Sequence, residues 1–186
     1  MMTPRAKTGV ATLLKRYLEE SLRTEAHPTW RMQAVEEKDI QAKRFIMLTI
    51  SSYDFRIIVL LHFSSDEASM KYVASRLKIS ASELVATQYQ DFLSEVGNIL
   101  CGALKRGLLQ FFPYLGVSSP NQLDCESLKY VTSYKMDYAL HLKATAGDET
   151  EFYGSVYISS FGELDFDPNA ISNTEEKADV GALELF

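Results

Sequence analysis

The sequence predicts an α+β domain in which an antiparallel sheet packs against long helices, with an added N-terminal helix. Three observations support this prediction. Apolar, strand-like runs cluster at 45–63, a long amphipathic pattern covers 82–112, and strand character returns at 128–161. Strands and helices that follow one another in blocks, and do not alternate one by one, are typical of the α+β class.

The N-terminal segment predicts a helix over 3–25. Thr3 is a suitable N-cap, and Pro4 occupies the first helical position, where its missing N–H costs nothing. Apolar residues then recur at helical spacing: Val10, Leu13, Leu14, Tyr17, Leu18 and Leu22. Basic residues beside this stripe are typical of membrane-surface helices, but acidic residues dilute them. Packing on the domain or on a partner subunit is therefore the favoured interpretation.

The next part of the chain predicts the core of the sheet. Alternation at 30–35 indicates one strand, and apolar runs at 45–50 and 55–63 indicate two more. The short polar link between the last two is suited to a hairpin. A helix is predicted from Asp66 to Leu77. Asp66 is suited to its start, since a capping carboxylate favours the positive end of a helix dipole.

The longest helical pattern runs from Ser82 to Phe112 and ends before Pro113. Ser80 and Glu83 have the spacing of a capping box just before it. The predicted core stripe is Val85, Tyr89, Phe92, Val96, Ile99, Ala103 and Leu108.

Two strands are predicted in the last third of the chain, at 128–143 and 152–161, with a turn at 146–149. From Asp165 the sequence becomes acidic and weakly patterned, although it contains apolar Leu183, Leu185 and Phe186. We therefore predict one domain over 1–164 and a flexible acidic tail over 165–186.

Composition excludes several classes of function. The 186 residues include 19 Lys and Arg against 25 Asp and Glu, a net charge of −6 that disfavours nucleic-acid binding. No apolar run reaches the roughly 18–20 residues that a membrane span requires. Without a signal-peptide pattern, and with two cysteines only, a cytoplasmic location is expected. The three histidines are far apart in sequence, so we expect structural histidines and no metal site.

One stripe of the long helix carries chemically suggestive residues. Asp91, Glu95, Asn98 and Gly102 follow at spacings of four, three and four, opposite the predicted core stripe. By pattern alone, exposed Glu and Asn are ordinary solvated residues. However, Asn and Gly inside a helix cost stability relative to Ala, and Gly97 adds to that cost. The stretch is therefore expected to have a function. For Gly97 and Gly102, two interpretations stay open: close backbone approach at a site or interface, and helix–helix packing within the subunit.

The stretch Asp91-Phe-Leu-Ser-Glu95-Val-Gly-Asn98, with Ser118-Ser119-Pro120 downstream, resembles the motif of the CheC/CheX chemotaxis phosphatases. The resemblance covers about 30–161. It implies the CheC-like fold and removal of the phosphoryl group from an aspartyl phosphate on a response regulator such as CheY. Asn98 would orient the attacking water, and Glu95 would pair with the regulator's lysine. Asp91 and Gly102 would contribute to docking.

The resemblance also implies the partners. Since a second Glu-x2-Asn pair in this register is absent from the sequence, the single-site, CheX-like branch is favoured, and with it a homodimer. No cofactor is expected in this chain; Mg²⁺ would be held by the regulator. The alternative is a non-catalytic, regulator-binding or scaffold module, as in the flagellar switch proteins of related fold. Cys101 is interpreted as a buried structural thiol rather than a nucleophile.

Overall fold

The computed structural model describes residues 1–131, 133, 135–147 and 150–167. It confirms the α+β prediction: a seven-stranded antiparallel sheet is packed against helices. The helices are α1 (Pro4–Leu22), α2 (Glu67–Leu77), α3 (Ala86–Leu109) and α4 (Leu128–Val131). The strands are β1 (Arg31–Val35), β2 (Arg44–Ser51), β3 (Phe55–Phe63), β4 (Gly116–Val117), β5 (Asn121–Asp124), β6 (Tyr138–Ala146) and β7 (Thr150–Ser160). Short 3-10 turns cover Glu37–Asp39 and Cys125–Ser127.

The strand order is β1-β6-β7-β3-β2, and β4 and β5 pair one after the other with the free edge of β2. The two predicted hairpins, β2–β3 and β6–β7, are both present. Register places Leu48 opposite Val59 and Val59 opposite Val156, so these three side chains lie on one face. We call this the inner face, because α1, α2 and α3 pack on it in the main core.

The opposite, outer face of the sheet carries a smaller apolar cluster that includes Phe45, Leu60 and Tyr157. Its only helical cover within the described residues comes from α4 and the 3-10 turns, and Val131 of α4 packs into the cluster. Much of the outer face is therefore built by side chains of the strands themselves.

The N-terminal helix follows the sequence prediction closely. The hydroxyl oxygen of Thr3 accepts a hydrogen bond from the backbone N–H of Ala6 at 3.1 Å, and all six residues of the predicted apolar stripe are buried in the domain core. The helix ends at Leu22, three residues before the predicted end. Two aromatic side chains satisfy the Leu22 carbonyl there: Trp30 Nε1 donates at 3.0 Å and the Tyr72 hydroxyl at 2.7 Å.

Helix α3 is shorter than predicted at both ends. Ser80 and Glu83 close a separate turn before it, where the Glu83 carboxylate accepts from the Ser80 N–H at 3.0 Å and from its hydroxyl at 2.8 Å. The helix therefore begins only at Ala86. The predicted core stripe is wrong at two positions, because Val85 and Ile99 are 54% and 43% exposed.

The predicted strand over 128–143 is also wrong in its first half. Residues 128–131 form α4, and strand pairing begins at Tyr138. The reason is tertiary: as part of a helical turn, Val131 reaches the outer apolar cluster, which overrides the strand propensity of the local Tyr-Val sequence. The turn predicted at 146–149 includes Gly147 at φ 59° and two residues outside the described part of the chain.

Described residues just beyond the predicted boundary at 164 pack against the domain. Phe166 is 4% exposed, and its ring centroid lies 4.9 Å from that of Phe111 and 5.8 Å from that of Phe112. The Asp165 carboxylate bonds to Thr3 and Arg5 at the start of α1. Ordered packing thus continues to residue 167, and the rest of the predicted tail, 168–186, lies outside the described residues.

Candidate functional site

The stripe singled out from the sequence lies on the outward face of α3. Asp91, Glu95 and Asn98 are exposed, and Gly102 is half-buried. The opposite face of the helix is buried against β2 and α1 through Leu93, Val96, Leu100 and Leu104. In an α-helix, positions three apart differ by about 60° around the axis and about 4.5 Å along it. Glu95 and Asn98 are therefore neighbours on an open, convex surface.

Gly97, which directly precedes Asn98, lies where α3 packs on strand β2. A Cβ atom at Gly97 would lie 3.0 Å from Ile46 Cγ2 and 3.1 Å from Leu48 Cδ1, both in β2. A side chain at this distance would force its neighbours in β2 to shift, so the glycine lets the helix approach the sheet closely. Gly97 therefore packs within the chain, but against the sheet and not against another helix as the sequence-based interpretation expected.

Gly102 is in a different environment. The nearest atom to a Cβ placed there is Arg106 Nη1 at 3.7 Å, which is an ordinary contact. Packing among the described residues therefore gives no reason for glycine at this position. The interface interpretation remains a prediction for Gly102.

Neither Glu95 nor Asn98 has a hydrogen-bond or ion-pair partner among the described residues. Apolar side chains of the helix also border the pair: Ile99 is 43% exposed, and half-buried Phe92 lies beneath the Arg76 guanidinium, whose carbon is 5.8 Å from the ring centroid. A free carboxylate can pair with a cation, and a free carboxamide can both donate to and accept from water. The two side chains thus present one charged acceptor and one group that both donates and accepts hydrogen bonds, and neither is a strong nucleophile.

Cys101, one turn from Asn98, does not supply that nucleophile. It is fully buried, and burial raises the pKa of its thiol to about 12, against a smaller opposing effect of Lys105. A thiol with such a pKa is protonated at neutral pH and inert. The sequence-based prediction of a structural cysteine is confirmed.

The N-terminal helix leaves the stripe uncovered. It meets α3 at Gly107, where an added Cβ would lie 2.9 Å from both Leu13 Cδ2 and the Tyr17 hydroxyl oxygen. That contact is nine residues beyond Asn98 and on the buried side of the helix. Among the residues that the structure describes, none covers the exposed side of Glu95 and Asn98.

The downstream Ser118–Pro120 segment of the motif lies at the edge of the sheet, between β4 and β5. The Ser118 N–H donates to the Thr49 carbonyl at 3.0 Å, and the Ser118 hydroxyl oxygen accepts from the Thr49 N–H at 3.0 Å. Since Thr49 belongs to β2, and α3 packs on β2 through Gly97, motif and helix share one supporting strand.

Two of the three histidines are buried together beneath the outer face. His62 Nε2 lies 2.9 Å from the Ser155 hydroxyl oxygen, and His141 Nδ1 lies 2.9 Å from the same atom. Burial lowers the pKa of His62 to about 3, with a smaller contribution from His141. Burial also lowers the pKa of His141. Because Ser155 and His62 are fully buried, the cluster is structural, as predicted.

Among the described residues, no group of three His, Cys, Asp or Glu side chains is placed to hold a metal ion. None of the helices in the described part of the chain combines the length and apolar character that crossing a bilayer requires.

Comparison with known proteins identifies the fold. No protein-family model matches the chain, and no curated protein matches it in sequence. Solved structures do match. A CheC-like superfamily protein from Shewanella sp. PV-4 has a TM-score of 0.63 at 11% identity, covering 82% of this chain and 98% of the other. The chemotaxis protein CheX from Vibrio vulnificus has a TM-score of 0.62 at 9% identity, covering 81% and 99%.

A third match is CheX in the CheX–CheY–BeF3–Mg²⁺ complex from Borrelia burgdorferi. Its TM-score is 0.62 at 15% identity, and the match covers 82% of this chain and 97% of the other. The protein described here therefore has the CheC/CheX-like fold, as the sequence motif implied. At these identities the likeness establishes the fold alone.

Proposed function

We propose that this protein hydrolyses the aspartyl phosphate of a response-regulator receiver domain, with Asn98 and Glu95 as the active pair. One observation carries the proposal: a carboxylate and a carboxamide lie exposed one turn apart on α3, without partners in the described part of the chain. Gly97, between them, lies where this helix packs closely on the sheet. The spacing of Glu95 and Asn98 is the one at which the motif of the resembling family has its pair. The shared fold supports the assignment.

Asn98 orients the attacking water in this mechanism. Its carboxamide accepts a hydrogen bond from the water or donates one to it, and so holds the water oxygen in line with phosphorus. The new bond forms between that oxygen and phosphorus, and the bond from phosphorus to the aspartyl oxygen breaks. The aspartate leaves as a carboxylate, and the proton from the water leaves with phosphate or solvent. Positioning of this kind accelerates phosphoryl transfer without a strong base.

Glu95 fixes the docking geometry. Its free carboxylate pairs with the lysine of the receiver domain, which places Asn98 next to the phosphorylated aspartate. Asp91 and Gly102 lie on the same stripe, one turn before Glu95 and one turn after Asn98, and complete the docking surface. Exposed Ile99 adds apolar area beside the pair. The partner is thus a phosphorylated, CheY-like receiver domain.

Two further features belong to this proposal. Mg²⁺ is held by the response regulator, and this chain contributes no cofactor. The protein acts as a homodimer, as the CheX-like branch does. The regulator-bound Mg²⁺ and the homodimer both follow from the family resemblance.

The test is the decay of a ³²P-labelled receiver domain with and without the protein. Asn98→Ala should abolish acceleration, and the protein should remain folded because an exposed Asn-to-Ala change in a helix is neutral or stabilising. Gln110→Ala is the matched control, since it removes an exposed carboxamide from the end of the same helix. Acceleration by Asn98→Ala equal to that of the wild type would refute the assignment.

The alternative is a module of the same fold that binds the regulator without hydrolysing its phosphate. A shared fold hosts different functions, so it cannot decide between the two. The same assay separates them. A binding module would leave the lifetime of the phosphorylated receiver domain unchanged, although the two proteins would still co-elute.

A further inference from the structure

A groove on the outer face of the sheet, away from α3, has the size of a small-molecule site. Its volume is about 640 Å³, within the range of about 300–1,000 Å³ that is typical of ligand sites. The floor consists of residues from β2, β3 and β7. Tyr130 and Val131 of α4, together with Lys135 and Met136, form one wall, and Phe161 also lines the groove.

The floor of the groove has a polar end. Register places Ser51 opposite Arg56 and Arg56 opposite Ser159, so the three side chains form one row across three adjacent strands. Arg56 is exposed and has no ion-pair partner among the described residues, and the Ser51 hydroxyl has no hydrogen-bond partner there. The Ser159 hydroxyl donates to the carbonyl of Lys135 at 2.8 Å, which fixes the wall to this row.

The rest of the groove is mainly apolar. The next rows of the floor present Ile58 and Met47, and Val131 and Met136 form the wall. From Arg56 to the row of Met47 is four residues along the sheet, or about 13 Å. The groove therefore has a cationic end and an apolar body.

The charges in the groove are all of one sign. Arg56 and Lys135 line it, and no carboxylate does so among the described residues. Asp137, two residues after Lys135, does not line the groove, and its carboxylate accepts hydrogen bonds from the Ser160 N–H and hydroxyl, both at 2.7 Å. An anion is thus favoured at the polar end and a cation is disfavoured.

We propose that this groove binds a small amphipathic carboxylate. Its head group pairs with the Arg56 guanidinium and accepts from the Ser51 hydroxyl, and its apolar body lies on Ile58 and Met47 beneath Val131. A planar guanidinium binds a carboxylate through two parallel hydrogen bonds, and an apolar groove of this length accommodates an extended alkyl chain. The site is separate from Glu95 and Asn98, because α3 covers the other face of the sheet.

The test uses the full chain and three probes that share a ten-carbon body: decanoate, decanol and decyltrimethylammonium, each below its micelle concentration. Isothermal titration gives affinity and stoichiometry, and methyl NMR of Ile58 and Val131 gives the location. We expect one saturable site for decanoate, at least tenfold weaker binding of decanol, and no saturable binding of the cation.

Arg56→Gln should weaken decanoate at least tenfold, and Arg56→Lys should restore part of the affinity. Arg106→Gln is the matched control, because it removes one positive charge from an exposed arginine on α3 and should leave the affinity within twofold. Thermal unfolding of each variant shows that the fold is retained, which is expected since both arginines are exposed.

Several results would overturn the proposal. Equal binding of all three probes, or equal affinity of Arg56→Gln, would show non-specific adsorption. Shifts confined to other methyl groups would place the site elsewhere, and the absence of saturation up to millimolar decanoate would leave no site. A synthetic peptide of residues 174–186, with carboxylates beside apolar side chains, probes a polypeptide occupant. If it binds in the groove and decanoate does not, the groove is a peptide site and the carboxylate proposal is wrong.

Discussion

Alanine substitutions at Gly97 and Gly102 should change the stability of the domain in opposite directions, although both residues lie in the interior of α3. Helix propensity alone predicts that each substitution stabilises by about 1 kcal/mol, because alanine restricts the unfolded backbone and glycine does not. The difference between the two positions is therefore a measure of packing between helix and sheet.

At Gly102 the propensity gain is retained. An added Cβ meets only Arg106 Nη1 at 3.7 Å, the far end of a flexible side chain. The expected gain of about 1 kcal/mol corresponds to a rise in Tm of about 2–4 °C for a domain of this size.

At Gly97 the new Cβ meets Ile46 Cγ2 at 3.0 Å and Leu48 Cδ1 at 3.1 Å. These side chains are 0% and 1% exposed, so they have no free space into which to move. Overpacking of a dense core costs about 1–3 kcal/mol. After the propensity gain, the net loss at Gly97 is roughly 0–2 kcal/mol.

Urea unfolding monitored by circular dichroism measures both variants against the wild type. The free energy of unfolding should be about 1–3 kcal/mol lower for Gly97→Ala than for Gly102→Ala. A Gly97→Ala variant at least as stable as Gly102→Ala would contradict the argument, since it would mean that α3 can move away from β2 at no cost.

Two further predictions concern parts of the fold away from α3. Burial lowers the pKa of His62 to about 3 from 6.5. The unfolded chain therefore binds the proton more readily than the folded protein between these pH values. As a result, the contribution of neutral His62 to the free energy of unfolding is complete above pH 6.5 and is lost as the pH falls toward 3. Urea unfolding at pH 4 and pH 7 should therefore show a smaller pH difference for His62→Gln than for the wild type, and an equal or larger difference would refute this. Phe166→Ala should lower the free energy of unfolding by about 3–5 kcal/mol, because Phe166 is buried against two aromatic rings. Phe161→Ala is the control for that experiment, since Phe161 is 62% exposed, and a similarly small effect of both variants would show that residue 166 is not part of the core.

Local periodicity is sufficient to predict an element whose apolar residues all lie on one face. All six stripe residues of α1 are buried because a 3.6-residue period determines which face of a helix is apolar. The same reasoning misplaced the centre of the stripe in α3. Leu93 and Leu100 are buried and Ile99 is not, since one residue corresponds to a rotation of 100° and several apolar residues compete for the face.

Features that depend on distant contacts could not be predicted in this way. Helix α4 replaces a predicted strand because Val131 packs against Phe45 and Leu60, which are about 70 or more residues away in sequence. The row Ser51–Arg56–Ser159 arises only from strand register, so the outer groove has no signature in the sequence. The candidate site could be predicted because its residues are local. Asp91, Glu95 and Asn98 share one helix face, and a single helical period is enough to place them together.

The distribution of charge limits how the proposed partner is recognised. Residues 168–186 contain four acidic side chains and one lysine, so 1–167 carry a net charge of −3 out of −6. A phosphorylated receiver domain is acidic around its aspartate, and a protein of the same sign gains nothing from long-range attraction. Affinity then depends on contacts within a Debye length of about 8–10 Å. In the proposed complex, Glu95 would face a lysine, Asn98 would face the attacking water, and Ile99 would exclude solvent. All three contacts would act within that range, so the proposal requires a support that holds the three side chains in fixed positions, as a helix does.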